Sequence, residues 1–600
     1  MASCARIAAF ILGMAFILSP PAGQAETGYR SPSHIIATKN GKRLFVTETT
    51  AGSVAELNAT NGKLIKRLAI KSEPSGLALS PDEKKLYITA GVSNGRVLVF
   101  DTQSGKTIAT YKAGHSPTAP VVSADGKTLY ICNRFNNDVS VIDTASGKTR
   151  VRVAVKREPV SAVLTSDGAQ LLVVNHLPAG TANSDYVAAA ISVIDTKTNQ
   201  TITELALPNG SNGLRDICLS PDGKYAYLGH VLARYQLPTT QIERGWVNTN
   251  AISVIDLEKM ALLNTFLLDD IDLGAPNPWG IAITPDGKTL ASTHAGSHEI
   301  SLIDRAALHT KLAAAGDQVP NDLSFLVGMR KRVKLPGLGP RSCVIAGSRL
   351  YAAQFFTDDI AVVDLTEPDF PVVSSYSLGP TQEMNVVRRG RFLFNDGSFC
   401  FQQWQSCTSC HPSERVDALN WDILNDGIGN PKNTKSLLLS HKTPPTTVTG
   451  CRANAETSVR AGIRFFMAVL PESDAVAIDS FLKSMKPVPS PHLVNNKLSK
   501  SALRGKAVFK KAKCSKCHAG NYFTDLKLYD VGTGTGREID TKYDVPTLVE
   551  IWRSAPYLHD GRSRTIRDVV TNHNPTDDHG YTKNLKDKEI EDLVEYVLSL

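Results

Sequence analysis

At 600 residues the chain is longer than one ordinary core can serve, so several domains are expected. Its net charge of +8, from 66 basic against 58 acidic residues, is modest and dispersed, with no block of five or six like charges. That argues against a nucleic-acid binder, whose usual footprint is a basic stripe.

In chain order, the first element is an N-terminal targeting segment. Arg6 precedes an apolar run from Ile7 to Leu18, then a Pro20-Pro21 break and the small residues Gly23 and Ala25. This predicts a cleaved secretory signal over residues 1–25. The run is shorter than the roughly 20 residues that span a bilayer, and no second candidate span follows. The mature chain is expected to be periplasmic or secreted, without a transmembrane anchor.

A repeat governs the next two thirds. "SPDEKKLYIT" at Ser80 returns as "SADGKTLYIC" at Ser123, "TSDGAQLLVV" at Thr165, "SPDGKYAYLG" at Ser220 and "TPDGKTLAST" at Thr284. Each is a turn followed by an apolar strand, and a second phrase answers it, as in "DVSVIDTASGK" and "AISVIDTKTNQ". With weaker copies at Lys39 and Ala346, about seven units recur at the period of propeller blades, about 40–45 residues. Residues 27–380 are therefore predicted to form a seven-bladed β-propeller, with insertions near 177–187, 231–249 and 309–335. The wording resembles the YVTN family of propeller repeats, which implies a scaffold able to present a protein or small-molecule ligand rather than a particular chemistry. Eight residues after the turn acid the blades carry Asn133, Asn175, His230 and His294, with His176 one place later. These are either a ligand-binding ring or ordinary polar strand ends.

From about Met384 helical periodicity takes over. Residues 384–486 and 499–600, separated by a Pro-rich linker at 487–498, each read as helix, motif, loops, helix. Ser499 is placed as a helix cap, and Ile590, Leu593, Val594, Val597 and Leu598 form one apolar stripe. The motifs are "CTSCH" at Cys407 and "CSKCH" at Cys514. C-x-x-C-H is the attachment signature of c-type haem: two thiols on one turn reach the two vinyl groups while the adjoining imidazole turns to the iron. Zinc would want further ligands at close spacing, and none follows His518 until His559. Two covalent haem c groups are expected, on Cys407 and Cys410 with His411, and on Cys514 and Cys517 with His518. No methionine follows Met485, so the other axial ligand of the second haem falls to His559, His573, His579 or an oxygen ligand such as tyrosine. Of the remaining cysteines, Cys132 and Cys218 read as buried strand thiols. Cys400 and Cys451 could pair as a disulfide in an oxidising compartment.

The stretch "YDVPTLVEIWRSAPYLHDGRSRTIRDVVTNHN" resembles the bacterial dihaem cytochrome c peroxidase and MauG superfamily, a likeness that covers about the last 215 residues. In that family the ligand of the second haem lies fourteen residues beyond the H-D-G histidine and is methionine or tyrosine. Counting from His559 lands on His573, which the resemblance therefore implies as the distal ligand. It further implies Glu456 as an acid–base carboxylate for peroxide cleavage, where capping alone also favours a first-turn glutamate. His441 would be a distal ligand of the first haem or a loop residue. Calcium between the haem units would fall on Asn433 and on backbone oxygens near Ser554 and Pro556.

The expected fold is thus multidomain: an all-β seven-bladed propeller followed by two mainly α cytochrome c-like haem domains. The expected function is a peroxidase-like dihaem oxidoreductase. Electrons would pass from the C-terminal to the N-terminal haem, from a small cytochrome c or cupredoxin donor, to reduce peroxide or oxidise a partner docked on the propeller. The alternatives are a dihaem electron-transfer protein without peroxide chemistry, or a propeller binding module with redox-relay haems.

Overall fold

A computed structural model describes residues 28–239, 247–367, 371–380, 382–423 and 427–600. The predicted signal segment lies outside these residues. Between Pro32 and Ser377 the chain forms seven consecutive antiparallel sheets, six of four strands and the fifth with its first strand broken into Ser211–Asn212 and Ile217–Leu219. The first strands, Pro32–Ala37, Pro74–Leu79, Pro117–Val122, Pro159–Leu164, Ile217–Leu219, Pro278–Ile283 and Pro340–Ala346, each pack on the next, and the last packs on the first. This closes a seven-bladed propeller around a central channel.

The repeated phrases fold for local reasons. In each turn a hydroxyl donates to the acid two residues on: Ser80 to Asp82, Ser123 to Asp125, Thr165 to Asp167, Ser220 to Asp222 and Thr284 to Asp286, at 2.5–2.6 Å. The following residue takes positive φ, as at Gly126 (71°). Glu83 adopts the same conformation at φ 58° without glycine's freedom. Second and third strands are buried almost throughout because blades cover both their faces, whereas outer strands such as Thr149–Ala154 are mostly exposed. The 309–335 insertion contributes helix α1 (Arg305–Ala314).

The remaining helices are α2 (Val386–Asn395), α3 (Cys407–Cys410), α4 (Ala455–Phe465), α5 (Glu472–Ser484), α6 (Lys500–Lys511), α7 (Ile566–Val570) and α8 (Asp587–Leu598). The same crossing occurs twice. α2 packs on α5 with Gly390 against the Ala477 carbonyl, and α6 packs on α8 with Gly505 against the Asp592 carbonyl. A Cβ at either glycine would stand 1.9 or 1.8 Å from that oxygen, so only glycine permits the approach. The expectation of mainly α domains is corrected: helices frame this half, but long loops at 411–454 and 518–565, broken by single turns and two-residue strands, make up much of it. The helix pairs form the core of each unit, and the loops run from them around the C-x-x-C-H segments.

Candidate functional site

The two motifs are held in the same way. Ser406 caps α3 in a reciprocal capping box with Ser409, placing Cys407 and Cys410 one turn apart and His411 at the helix end. His411 Nδ1 lies 3.0 Å from the Arg415 carbonyl. In the second motif a single turn (Cys514–Lys516) carries the cysteines, and His518 Nδ1 lies 3.0 Å from the Phe523 carbonyl. Since a carbonyl only accepts, each Nδ1 carries the proton and donates it, which leaves each Nε2 lone pair for a metal. None of the four cysteines is in a disulfide. Burial pushes the Cys407 thiol up to about 12 and that of Cys514 up to about 11. Paired cysteines beside an imidazole with a spare nitrogen fit covalent haem c at both motifs.

The surroundings differ. Around the second motif the cluster is built from its own unit, including Phe509, Leu548, Ile566, Leu593 and Tyr596. The first motif packs against a shared cluster, in which Val187, Ala233, Tyr235 and Val247 of the propeller join Trp404, Leu419, Trp421 and Phe466. Asn248 of the propeller donates to Cys410 Sγ at 3.2 Å.

Opposite His518 stands His579, with ring centroids 6.2 Å apart and planes inclined at 36°. Half that separation, about 3 Å, equals one metal–nitrogen bond of about 2 Å plus the roughly 1 Å from ring nitrogen to ring centre. Burial, then the neighbouring His518, pushes the His579 imidazole down to about 4, and its Nδ1 is buried without a partner. Asn574 shapes the loop that delivers it, donating to the Gly580 carbonyl (2.7 Å) and Thr582 Oγ1 (2.8 Å) and accepting from the His579 N–H (2.8 Å). The ring against His518 is that of His579 and not that of His573, the ligand the resemblance implies. The His573 backbone N–H closes the turn after α7 on the Asp568 carbonyl, and its ring makes no contact with His518. His559 stacks on Tyr543 at 4.4 Å and lies 3.2 Å from Glu538.

Three other candidates fall elsewhere. His441 is buried with Nε2 2.9 Å from Asp479, which also pairs with Arg460, and Nδ1 3.4 Å from Ser440 Oγ. Both ring nitrogens are thus engaged by neighbours within the same unit. Among the described residues no histidine ring pairs with His411. Glu456 sits in the first turn of α4 with Lys483 2.8 Å away, which holds its carboxyl below the usual range. At 39% side-chain exposure it is a surface ion pair, not a carboxylate poised in a pocket. Asn433 and Pro556 do meet, but the Asn433 amide donates to the Pro556 carbonyl at 2.6 Å. The neighbouring carbonyls of Arg553 and Ala555 already bind the Arg157 guanidinium from the propeller, at 2.7 and 2.5 Å. A fixed organic cation thus stands on these backbone oxygens, and the set offers calcium no carboxylate. Cys400 is buried beside Trp404 while Cys451 is exposed, so the two thiols do not pair.

The polar ring of the propeller resolves into pairs within each blade. Asn133, Asn175, His230 and His294 are fully buried, each bonded to a serine of the third strand: Ser140, Ser192, Ser253 and Ser301, at 2.8–2.9 Å. They are internal blade links rather than a ligand ring.

Sequence reasoning missed Asp417. It is fully buried near the first motif, where its field pushes up the Cys410 thiol. Trp421 Nε1 (2.7 Å) and the Leu419 N–H (3.0 Å) donate to it. Burial outweighs these bonds and pushes its carboxyl up to about 6. Nothing in the local pattern "RVDALNW" marks it.

Known proteins match the two parts of the chain. The family model described as "Cytochrome c" matches residues 502–600, and that described as "Outer membrane protein assembly factor BamB" matches residues 93–201. Hydrazine synthase subunit gamma of Kuenenia stuttgartiensis is 28% identical over 273 residues, covering 36% of this chain and 77% of that protein. The beta subunit is 29% identical over 185 residues, covering 29% of this chain but only 46% of its own length. Methylamine utilization protein MauG of Methylophilus methylotrophus is 33% identical over 88 residues, 12% of this chain and 26% of its own. A solved structure of Kuenenia stuttgartiensis hydrazine synthase aligns with a TM-score of 0.53 at 26% identity, covering 60% of this chain and 99% of that one. No helix among the described residues is long and apolar enough to cross a membrane. The chain is a β-propeller fused to a C-terminal cytochrome c domain, whose motif implies covalent haem c.

Proposed function

We propose that this chain is a periplasmic or secreted oxidoreductase with two haem c groups, one on Cys407, Cys410 and His411, the other on Cys514, Cys517 and His518. His579, facing His518, would supply the second nitrogen donor to the latter. The observation that carries this reading is the asymmetry between the motifs: His518 faces an imidazole at 6.2 Å, and His411 faces none among the described residues. When bound, the haems would supply one-electron chemistry, for which the paired imidazoles of His518 and His579 would suit electron entry and the single imidazole of His411 would suit reaction.

The protein's own groups have distinct tasks in this scheme. The carbonyls of Arg415 and Phe523 fix the imidazole orientation of His411 and His518. Asp417, buried and with its carboxyl pushed up to about 6, is placed near the first motif to accept and return a proton close to neutral pH, the acid–base role expected of Glu456. Aromatic walls of Trp404, Trp421 and Phe466, sealed by the propeller, exclude water. Calcium has no part in the reading. The electron donor is a small soluble redox protein, a cytochrome c or a cupredoxin. Reactants at the first site are peroxide, as for peroxidases, or small nitrogen compounds such as hydrazine, in view of the relatives' names.

The test uses holoprotein matured in a host competent for cytochrome c. Oxidised protein is expected to show one low-spin and one high-spin ferric signal, and reduced protein to be reoxidised rapidly by hydrogen peroxide. Two low-spin signals with no reaction would favour a plain electron carrier.

A further inference from the structure

Three successive first strands place unusual side chains in the propeller channel. Arg215 precedes Ile217–Leu219, Trp279 lies in Pro278–Ile283, and Arg341 lies in Pro340–Ala346. Both guanidiniums stack on the one indole, 4.0 Å and 4.5 Å from its centroid, and Arg341 also lies 3.5 Å from the Phe355 ring centre. Stacking occupies the faces of these cations and leaves their N–H edges, up to five donors each, to find acceptors. Among the described residues neither guanidinium has a hydrogen-bond or ion-pair partner.

The surrounding charges do not supply one. Arg134 is engaged by Glu158 at 2.7 Å. Arg388 lies 3.5 Å from Asp358. Asp216, next in sequence, accepts from Ser161 Oγ (3.0 Å) and from its neighbour's backbone N–H (3.0 Å). The fields of Arg391, Arg215 and Arg388 all oppose the charge on Arg341. Glu414 is the acid whose field reaches both arginines, yet it contacts neither. It ends the turn Pro412–Glu414, immediately after His411.

Both residues are part-exposed, so their unengaged N–H edges are reachable by an anion that enters the channel, and two such forks fixed on one indole are oriented to meet it. We infer that the Arg215–Trp279–Arg341 clasp is a binding site for a small oxyanion of the carboxylate, nitrate or phosphate class, inside the channel and facing the loop of the first motif. Glu414 repels such an anion from the far side and so limits its affinity.

Titration calorimetry of the full-length holoprotein against sodium formate, sodium nitrate and sodium phosphate, in a zwitterionic buffer of low anion content, tests this. At least one probe should show a single saturable site. Arg215→Met and Arg341→Met should each weaken it by about tenfold or more. Glu414→Gln, which keeps both arginines, should tighten it. No saturable binding of any probe would overturn the proposal, as would unchanged binding in both methionine variants. Should those variants not fold, unchanged or weaker binding in Glu414→Gln would overturn it equally.

Discussion

Arg415 and Glu550 form a two-point ion pair, Nε and Nη2 to the two carboxylate oxygens at 2.9 and 3.0 Å, with both side chains buried. The same Arg415 offers the carbonyl that holds His411, and Glu550 also accepts from the Val488 N–H at 2.9 Å and lies 3.4 Å from Arg553. Arg553 in turn lies 3.6 Å from Glu158 of the propeller. One buried charge network therefore joins the propeller, the first motif and the second unit. Breaking it from one side leaves an uncompensated buried charge, so Glu550→Ala should cost about 3–5 kcal/mol in denaturant unfolding. The double variant Arg415→Met with Glu550→Met should recover a large part of that loss. A double variant as damaged as the single one would show that the network matters for something other than charge balance.

The helix crossings predict opposite outcomes for glycines of similar appearance. Gly390→Ala and Gly505→Ala force a Cβ onto a backbone carbonyl and should destabilise by about 1–3 kcal/mol or more. Gly462, inside α4 with nothing within 4 Å of its Cβ position, should gain about 0.5–1 kcal/mol as alanine. Thermal unfolding of the three variants decides the matter.

Asp417 predicts a pH dependence. Its folded-state pKa of about 6 lies above the unfolded value, so the native state binds this proton more tightly. Its contribution is therefore most favourable below about pH 4, falls as pH rises from about 4 to 6, and leaves a penalty of about 2–3 kcal/mol above that. In Asp417→Asn the decline in melting temperature between pH 5 and 7.5 should be shallower than in the native protein. Equal slopes would remove Asp417 as a proton-holding group.

What could be read in the chain followed the range of the interactions. The hydroxyl–carboxylate turns and the two C-x-x-C-H motifs are closed within a few residues, so their spacing alone announces them. His579 was harder. It stood among the candidate ligands, but counting from His559 favours His573, whereas the Asn574 clamp folds the loop back and brings His579 to His518. Gly390 and Gly505 are legible only as a pair, each following arginine on a helix that crosses another. Arg215, Trp279 and Arg341 come together only when three blades close the channel, and no local pattern carries that information. Glu456 and His441 fit an expected motif, but Lys483 and Asp479 claim them.

The identity of the second ligand is the claim on which the rest turns, and electron paramagnetic resonance of the oxidised holoprotein reads it most directly. His579→Ala should convert the low-spin signal of the C-terminal haem to high spin, while His573→Ala leaves the native spectrum intact. Loss of the low-spin signal in His573→Ala, with His579→Ala unchanged, would contradict the account.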